Sequence, residues 1–417
     1  MSIAVGRRVR RLGGRLIRRL RLLPEGEPDG LGDDEALLGG TLPFSVMVYF
    51  PDTMTNLYQL QQWYGPLRRL DGEHRVGVVC LDSRTAAAVR AQTPFPVICA
   101  ARSATLDDLV SRSTVSLALY VNHNVRNLQC LRFASMFHAY LGHGESDKVA
   151  STSNQVKAYD FVLVAGAAGR ERLRRTLLHY DVDAHVRLVG RPPLDQPATA
   201  GPTAADRRPT VLYAPTWEGA QPSMAYSSVR SHGHQLLTSL LADGGLRVVY
   251  RPHPRTGANR PDFAIADAEL RELISTSART DPGAEHRVDT APSWNPLAEP
   301  ADVLVSDISA VASDWLVTGK PLVVTRPLSP AAYIDSDTLL DHLPSLPASA
   351  AGRAAEVVHA ALADQVASQR RALTDYTLGD VTPGASTQRF LSVCSDLIRQ
   401  RDLEVSARAA RNLGGGS

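Results

Sequence analysis

His143 lies in the run LGHGES, between two glycines whose missing side chains let a substrate approach both the backbone and the imidazole. A histidine with an ordinary pKa of about 6.5 can take a proton from an alcohol as that alcohol attacks phosphorus or an anomeric carbon. A loop histidine that is merely hydrogen-bonded is the plain alternative. In the same run Glu145 and Asp147 could orient the ring, and Lys148 could meet an anionic acceptor. A second histidine, His253, sits in RPHP beside Arg251, where Pro252 and Pro254 restrict the backbone and hold the ring in one direction. That pair suits a pyrophosphate or its leaving oxygen, although an ordinary turn uses the same residues. In SDIS, Ser306, Asp307 and Ser309 join an apolar run to a helical one. Amides and a cap serine at a helix start bind phosphate, whereas Asp307 would repel it and suits a ribose hydroxyl, a loop amide or the His253 ring. NHN at 122–124, with Asn122 and Asn124, and APTWEG at 214–219, with Thr216, complete the clusters.

These clusters need elements to carry them, and each follows a short apolar run. Candidate strands are 44–50, 75–81, 95–100, 116–122, 138–144, 161–166 and 186–190, several apolar on both faces as in covered parallel sheets. Helical patterns fill the gaps at 55–70, 83–92, 125–136 and 167–179. A break rich in Pro, Ala and Gly spans 192–209, after which strands at 210–217, 246–252, 302–307 and 321–327 alternate with helices near 228–243, 262–277, 309–318 and 352–374, and a last helix covers 386–409. The alternation predicts an α/β protein with two doubly wound Rossmann-type domains facing a central cleft, 44–191 and 210–413, which the resemblance given below makes the acceptor side and the nucleotide side. Neither half has a GxGxxG run, so the GT-B architecture fits better than a dinucleotide dehydrogenase. In such sheets ligands bind beyond the carboxyl ends of the strands, where the clusters fall.

The 417 residues are 44% hydrophobic and 21% charged, a globular composition with no run of about 18 apolar residues that would span a bilayer. Four cysteines without CxxC spacing indicate neither a disulfide framework nor a zinc site. Asp181 and Asp183 form a DxD string at a helix end, far from the clusters, and are assigned to the surface; no metal and no cofactor are expected. Residues 1–23 hold eight arginines and no acid against a whole-chain net charge of +2, so the basic character belongs to this arm and a nucleic-acid-binding core is excluded. Val9, Leu12, Leu16, Leu20 and Leu23 form one helical stripe, with Arg7, Arg8, Arg11, Arg15, Arg18 and Arg19 over other faces, a pattern suited to an anionic membrane surface. A disordered basic tail is the alternative. Residues 24–43 read as a linker.

Taken in order, HGESDK, YAPTWEG, RPHP and ADVLVSDISAVASDWLVTGKPLVV resemble the elements of the CDP-glycerol glycerophosphotransferase family, which primes or polymerises teichoic acids and related polyol-phosphate polymers of the cell wall or capsule. The resemblance spans roughly residues 115–330, and YVNHNVRNLQCLRF through SNQVKAYDFVLVAG looks like an actinobacterial-type branch. It implies a GT-B transferase, cytoplasmic and peripheral on the inner face of the membrane. A CDP-polyol, CDP-glycerol foremost, would give its polyol phosphate to a hydroxyl of a lipid-linked or polymeric acceptor and release CMP. His143 matches the family's base on the acceptor hydroxyl, His253 the histidine that stabilises the donor phosphates, Ser306 and Ser309 the strand-to-helix serines, and the backbone near Thr216 a donor contact. Many members carry arginine after the PTW element where this chain has Glu218, which removes a positive charge expected near the pyrophosphate. A nucleotide-sugar glycosyltransferase, or a catalytically idle assembly subunit on the same fold, are the competing readings.

Overall fold

The computed structural model describes residues 33–195, 208–291, 293–363 and 367–414. The arm, with Arg7, Arg8, Arg11, Arg15, Arg18 and Arg19, and residues 196–207 of the central break lie outside the described residues. Seven strands form the first sheet: β1 (Val46–Phe50), β2 (Val76–Cys80), β3 (Val97–Cys99), β4 (Leu117–Tyr120), β5 (Phe137–Tyr140), β6 (Phe161–Val164) and β7 (Val186–Leu188). Their order is β3-β2-β1-β4-β5-β6-β7 and every pairing is parallel. The second sheet holds β8 (Thr210–Ala214), β9 (Arg247–Tyr250), β10 (Arg287–Val288), β11 (Val303–Ser306), β12 (Leu322–Thr325) and β13 (Ser345–Leu346), in the order β10-β9-β8-β11-β12-β13, again all parallel.

Two such sheets are the GT-B arrangement. The strand order reverses between β1 and β4 in one and between β8 and β11 in the other, which opens a crevice at each switch point. The central strands β1, β2, β4, β8, β9, β11 and β12 are buried along their whole length, as their unbroken Val/Leu/Tyr runs require. β10 and β13, two residues each, are too short to leave a sequence pattern.

Several strands end earlier than their apolar runs. β5 stops at Tyr140 because Gly142 turns the chain with φ at 66°, so His143 stands on a loop and not within the strand. β8 stops before Pro215, which has no amide hydrogen for the ladder. The helix expected over 125–136 reduces to a 3-10 turn at Val125–Asn127 and a single turn at Leu128–Leu131.

The final helix, Ala385–Gly414, follows the second sheet in sequence but packs on the first. Phe390, Leu391, Cys394, Leu397 and Ile398 enter the core built on Trp63, Leu67 and the inner residues of β1 and β4, with the Trp63 and Phe390 ring centroids 5.5 Å apart. This corrects its expected grouping with residues 210–413: an apolar stripe goes where uncovered sheet remains, and the first sheet has that face free. Among the described residues no helix is long and apolar enough to cross a membrane.

Candidate functional site

The loop that carries His143 is fixed by its backbone. Trp63 Nε1 donates to the Gly142 carbonyl at 2.8 Å, and the His143 carbonyl accepts from Gln62 Nε2 at 2.6 Å and from Arg191 Nη2 at 3.0 Å. Gly144 has to be glycine, since an added Cβ would lie 2.5 Å from the Ala310 Cβ of the opposite unit. The imidazole is left without a bond at Nδ1, which is buried. Burial, and then the nearby cations Arg191 and Lys148, push its pKa down to about 3, so the ring is neutral at physiological pH.

His253 reaches the same place from the other sheet. The Arg251 amide continues the ladder to the Tyr213 carbonyl at 2.8 Å, and beyond it the Arg255 amide donates to His253 Nδ1 at 3.1 Å. That bond makes Nδ1 an acceptor, so in the neutral ring the hydrogen sits on Nε2, ready for an anionic oxygen. Burial first, then Lys148 and His143, hold its pKa well below the ordinary value. Tyr58 stands between the two imidazoles, edge-on to both, with ring centroids 6.4 Å from His143 and 6.0 Å from His253. Its hydroxyl accepts from Gln59 Nε2 at 3.2 Å, and Gln59 in turn accepts from Asn122 Nδ2 at 2.7 Å. Asn122 therefore sets the position of Tyr58, while Asn124 caps the following turn through the Arg126 amide at 2.9 Å.

Two cations complete the cleft. Lys148 Nζ crosses from the first unit to donate to Thr216 Oγ1 at 2.6 Å, and burial lowers its pKa to about 8. The Arg255 guanidinium lies 4.0 Å over the Trp217 ring, with Nε buried and unbonded and, among the described residues, no carboxylate within ion-pair range. The sequence offered Arg251 for this task. The structure commits Arg251 to an ion pair with Asp289 and a bond to the Ala291 carbonyl at 2.7 Å, whereas Arg255, four residues on, has no ion pair among the described residues.

Glu218, the departure from the family pattern, receives the amides of Gly257 and Asn259, both at 2.9 Å, and of Arg260 at 3.2 Å. Its carboxylate therefore folds the loop that carries His253 and Arg255.

Other residues expected at the ligand are turned inward. Glu145 and Asp147 each bind Arg172 at 2.9 Å, and Asp147 also accepts the Leu339 amide at 2.8 Å, so both carboxylates brace the loop and neither meets an acceptor. Asp307, fully buried, takes the Thr216 amide at 2.8 Å, the Ser228 amide at 3.1 Å and the Thr325 hydroxyl. Ser306 donates to the Ala214 carbonyl at 2.7 Å and shares a bond with Ser309 at 2.9 Å, while Ser309 caps the helix Ala310–Trp315. These three residues shape the second unit's crevice from beneath.

Reading by motif passed over Tyr58, Gln62, Arg191 and Arg255. Arg255 was legible as the last letter of RPHPR, and Arg191 as a strand-end arginine in VGRPP. Tyr58 carried no local signal. Asp181 caps the turn Val182–His185 and Asp183 pairs with Arg174 at 2.7 Å; no metal-binding cluster occurs among the described residues.

Residues 140–370 match the family model described as CDP-glycerol:poly(glycerophosphate) glycerophosphotransferase. Among solved structures, the wall teichoic acid polymerase TagF is similar at 13% identity and a TM-score of 0.53, over 89% of this chain and 92% of that one. A variant of the same polymerase soaked with CDPG gives 12% identity and 0.52, over 96% and 99%. A glycosyltransferase from Rickettsia africae ESF-5 gives 10% identity and 0.52, over 85% and 98%. No curated protein matches the chain in sequence.

The depressed histidines make stability depend on acid. Above pH ~6.5 the ring of His143 is neutral in both folded and unfolded chains and contributes no difference. Below that, the unfolded chain binds a proton that the folded site refuses until about pH 3, so stability falls as pH drops through this window. The slope is about 1.4 kcal/mol per pH unit for such a ring. Urea unfolding at pH 7 and pH 5 is expected to show a smaller loss in His143→Gln than in the wild type. An identical loss in both proteins would mean that His143 titrates normally in the fold.

Proposed function

Because the chain belongs to the CDP-glycerol:poly(glycerophosphate) glycerophosphotransferase family, we propose that it moves glycerol phosphate from CDP-glycerol to a hydroxyl of a lipid-linked or polymeric teichoic-acid-type acceptor, with release of CMP. One observation carries the reading: imidazoles from two separate sheets meet across Tyr58, beside Lys148 and Arg255, two cations with no carboxylate partner in ion-pair range among the described residues. An anion with two charges close together fits such a place, and a diphosphate is that anion.

In the proposed reaction the donor diphosphate lies against Lys148 and Arg255, and His253 Nε2–H donates to one of its oxygens. The acceptor hydroxyl attacks the β-phosphorus, its proton passes to His143, and the phosphorus–oxygen bond to CMP breaks. Positioning and charge supply most of the acceleration in phosphoryl transfer, so the neutral rings and fixed cations are the main assets of the site. His143 is a weak base first because it is buried and then because Arg191 and Lys148 add a positive field around it. A bound diphosphate cancels that field and raises its basicity, which delays proton abstraction until the donor is seated.

The acceptor of such a reaction resides at the membrane, and the proposed seat of the arm is the anionic inner face. Co-sedimentation with anionic vesicles is expected to be lost on deleting residues 1–23 and weakened by high salt. Equal sedimentation of both forms would put the contact elsewhere.

Incubation with CDP-glycerol and a glycerol-phosphate-ended acceptor is expected to release CMP, and His143→Ala to cut turnover by about 100-fold while donor binding by calorimetry persists. Release of UDP or GDP from a sugar nucleotide instead would replace the reading with glycosyl transfer. Near-wild-type turnover in His143→Ala would remove that ring from the mechanism.

A further inference from the structure

One imidazole near His143 is not used by the mechanism above. β4 and β5 pair in register with Tyr120 opposite Tyr140, and His123 and His143 each stand three residues beyond that pair. The two rings therefore leave neighbouring strands at equivalent positions, and His123 is near enough for its charge to bear on His143. His123 stacks on Tyr140 with ring centroids 4.1 Å apart and planes 9° from parallel, and Tyr140 packs in turn on Tyr159 at 5.1 Å. This aromatic support fixes the ring's orientation. Both of its nitrogens are nevertheless buried without a hydrogen-bond partner among the described residues.

The flanking asparagines do not supply one. Asn122 is engaged with Gln59 at 2.7 Å and Asp52 at 3.1 Å, and Asn124 with the Arg126 amide at 2.9 Å. A ring kept only for packing would be better served by an apolar side chain, because two unmet polar atoms are costly to bury. Burial keeps the ring neutral, with its pKa lowered to about 4. A neutral imidazole offers one N–H and one lone pair, and a hydroxyl, which both donates and accepts, satisfies either.

We infer that His123 binds the hydroxyl adjacent to the attacking one, so that the cleft selects an acceptor ending in a vicinal diol. This rests on the transfer to a polyol hydroxyl proposed above. His143 takes the proton of the attacking hydroxyl while His123 holds its neighbour, which fixes the rotation of the acceptor's last carbon–carbon bond. Donor contacts are not involved.

CMP release from CDP-glycerol is measured with two acceptors, one ending in glycerol phosphate and one ending in 3-hydroxypropyl phosphate, which keeps the terminal hydroxyl and lacks its neighbour. The wild type is expected to lose roughly tenfold or more in kcat/KM on the second acceptor. His123→Ala is expected to be down by a similar factor on the first acceptor, mainly through KM, to lose nothing further on the second, and to bind CDP-glycerol normally. His123→Gln, which restores a donor and an acceptor, is expected to recover part of the discrimination. Equal use of both acceptors by the wild type overturns the inference without any variant, and so does undiminished discrimination in His123→Ala. Absence of CMP release by the wild type with either acceptor overturns the transfer reading itself, and this inference falls with it.

Discussion

A single buried guanidinium ties the two sheets into one site. Arg191, just past β7, is 5% exposed and binds Asp314 of the second unit through Nε at 2.9 Å and Nη2 at 3.3 Å. The same Nη2 reaches Gln62 Oε1 at 2.9 Å and the His143 carbonyl. One side chain thus bears at once on the junction between the units, the placement of the Tyr58-bearing segment and the loop of the proposed base. Such a pair adds little net stability, because desolvating both charges offsets most of their attraction, but removing either partner leaves a buried charge and costs about 3–5 kcal/mol. Its contribution is geometric. Asp147, held by Arg172 and accepting the Leu339 amide, is a second tie of the same loop across the units.

With the frame set in this way, the charges of the cleft divide into paired and unpaired. Glu145, Asp147, Asp307, Asp314 and Glu218 are each spent on a guanidinium, an amide or a hydroxyl of the fold. Among the described residues no carboxylate lies within ion-pair range of Arg255, and Lys148 meets the Thr216 hydroxyl and the face of the Tyr226 ring. The site is therefore electropositive and holds neutral histidines, a combination that the proposed anionic donor would complete. His143 and His253 are both depressed by burial and by Lys148, so one ligand that neutralises this lysine acts on both rings at once.

Much of this was legible in the sequence because strand ends announce themselves. Eleven of the thirteen strands among the described residues follow apolar runs, and the clusters around His143, His253, Thr216 and Ser306 fall at or just past their ends. What escaped depends on partners distant in the chain. Arg251 and Arg255 look interchangeable until Asp289 claims one of them. Asp307 looks like a ligand residue until the Thr216 and Ser228 amides, 91 and 79 residues away, are seen to enclose it. Glu218 reads as a lost positive charge, whereas its three amide donors come from a loop about forty residues on. The return of Ala385–Gly414 to the first sheet is likewise set by an uncovered apolar face, which no local pattern encodes.

In the proposed mechanism, burial first and the neighbouring cations second keep His143 a weak base until an anionic donor arrives. Histidine-selective 15N NMR across a pH titration, with the His143 signal assigned through His143→Gln, tests it directly. The account predicts a ring that stays neutral down to about pH 3 in the free protein and whose pKa rises when CDP-glycerol is bound. A free-protein pKa near the ordinary value of about 6.5, or one that the donor leaves unchanged, would contradict it.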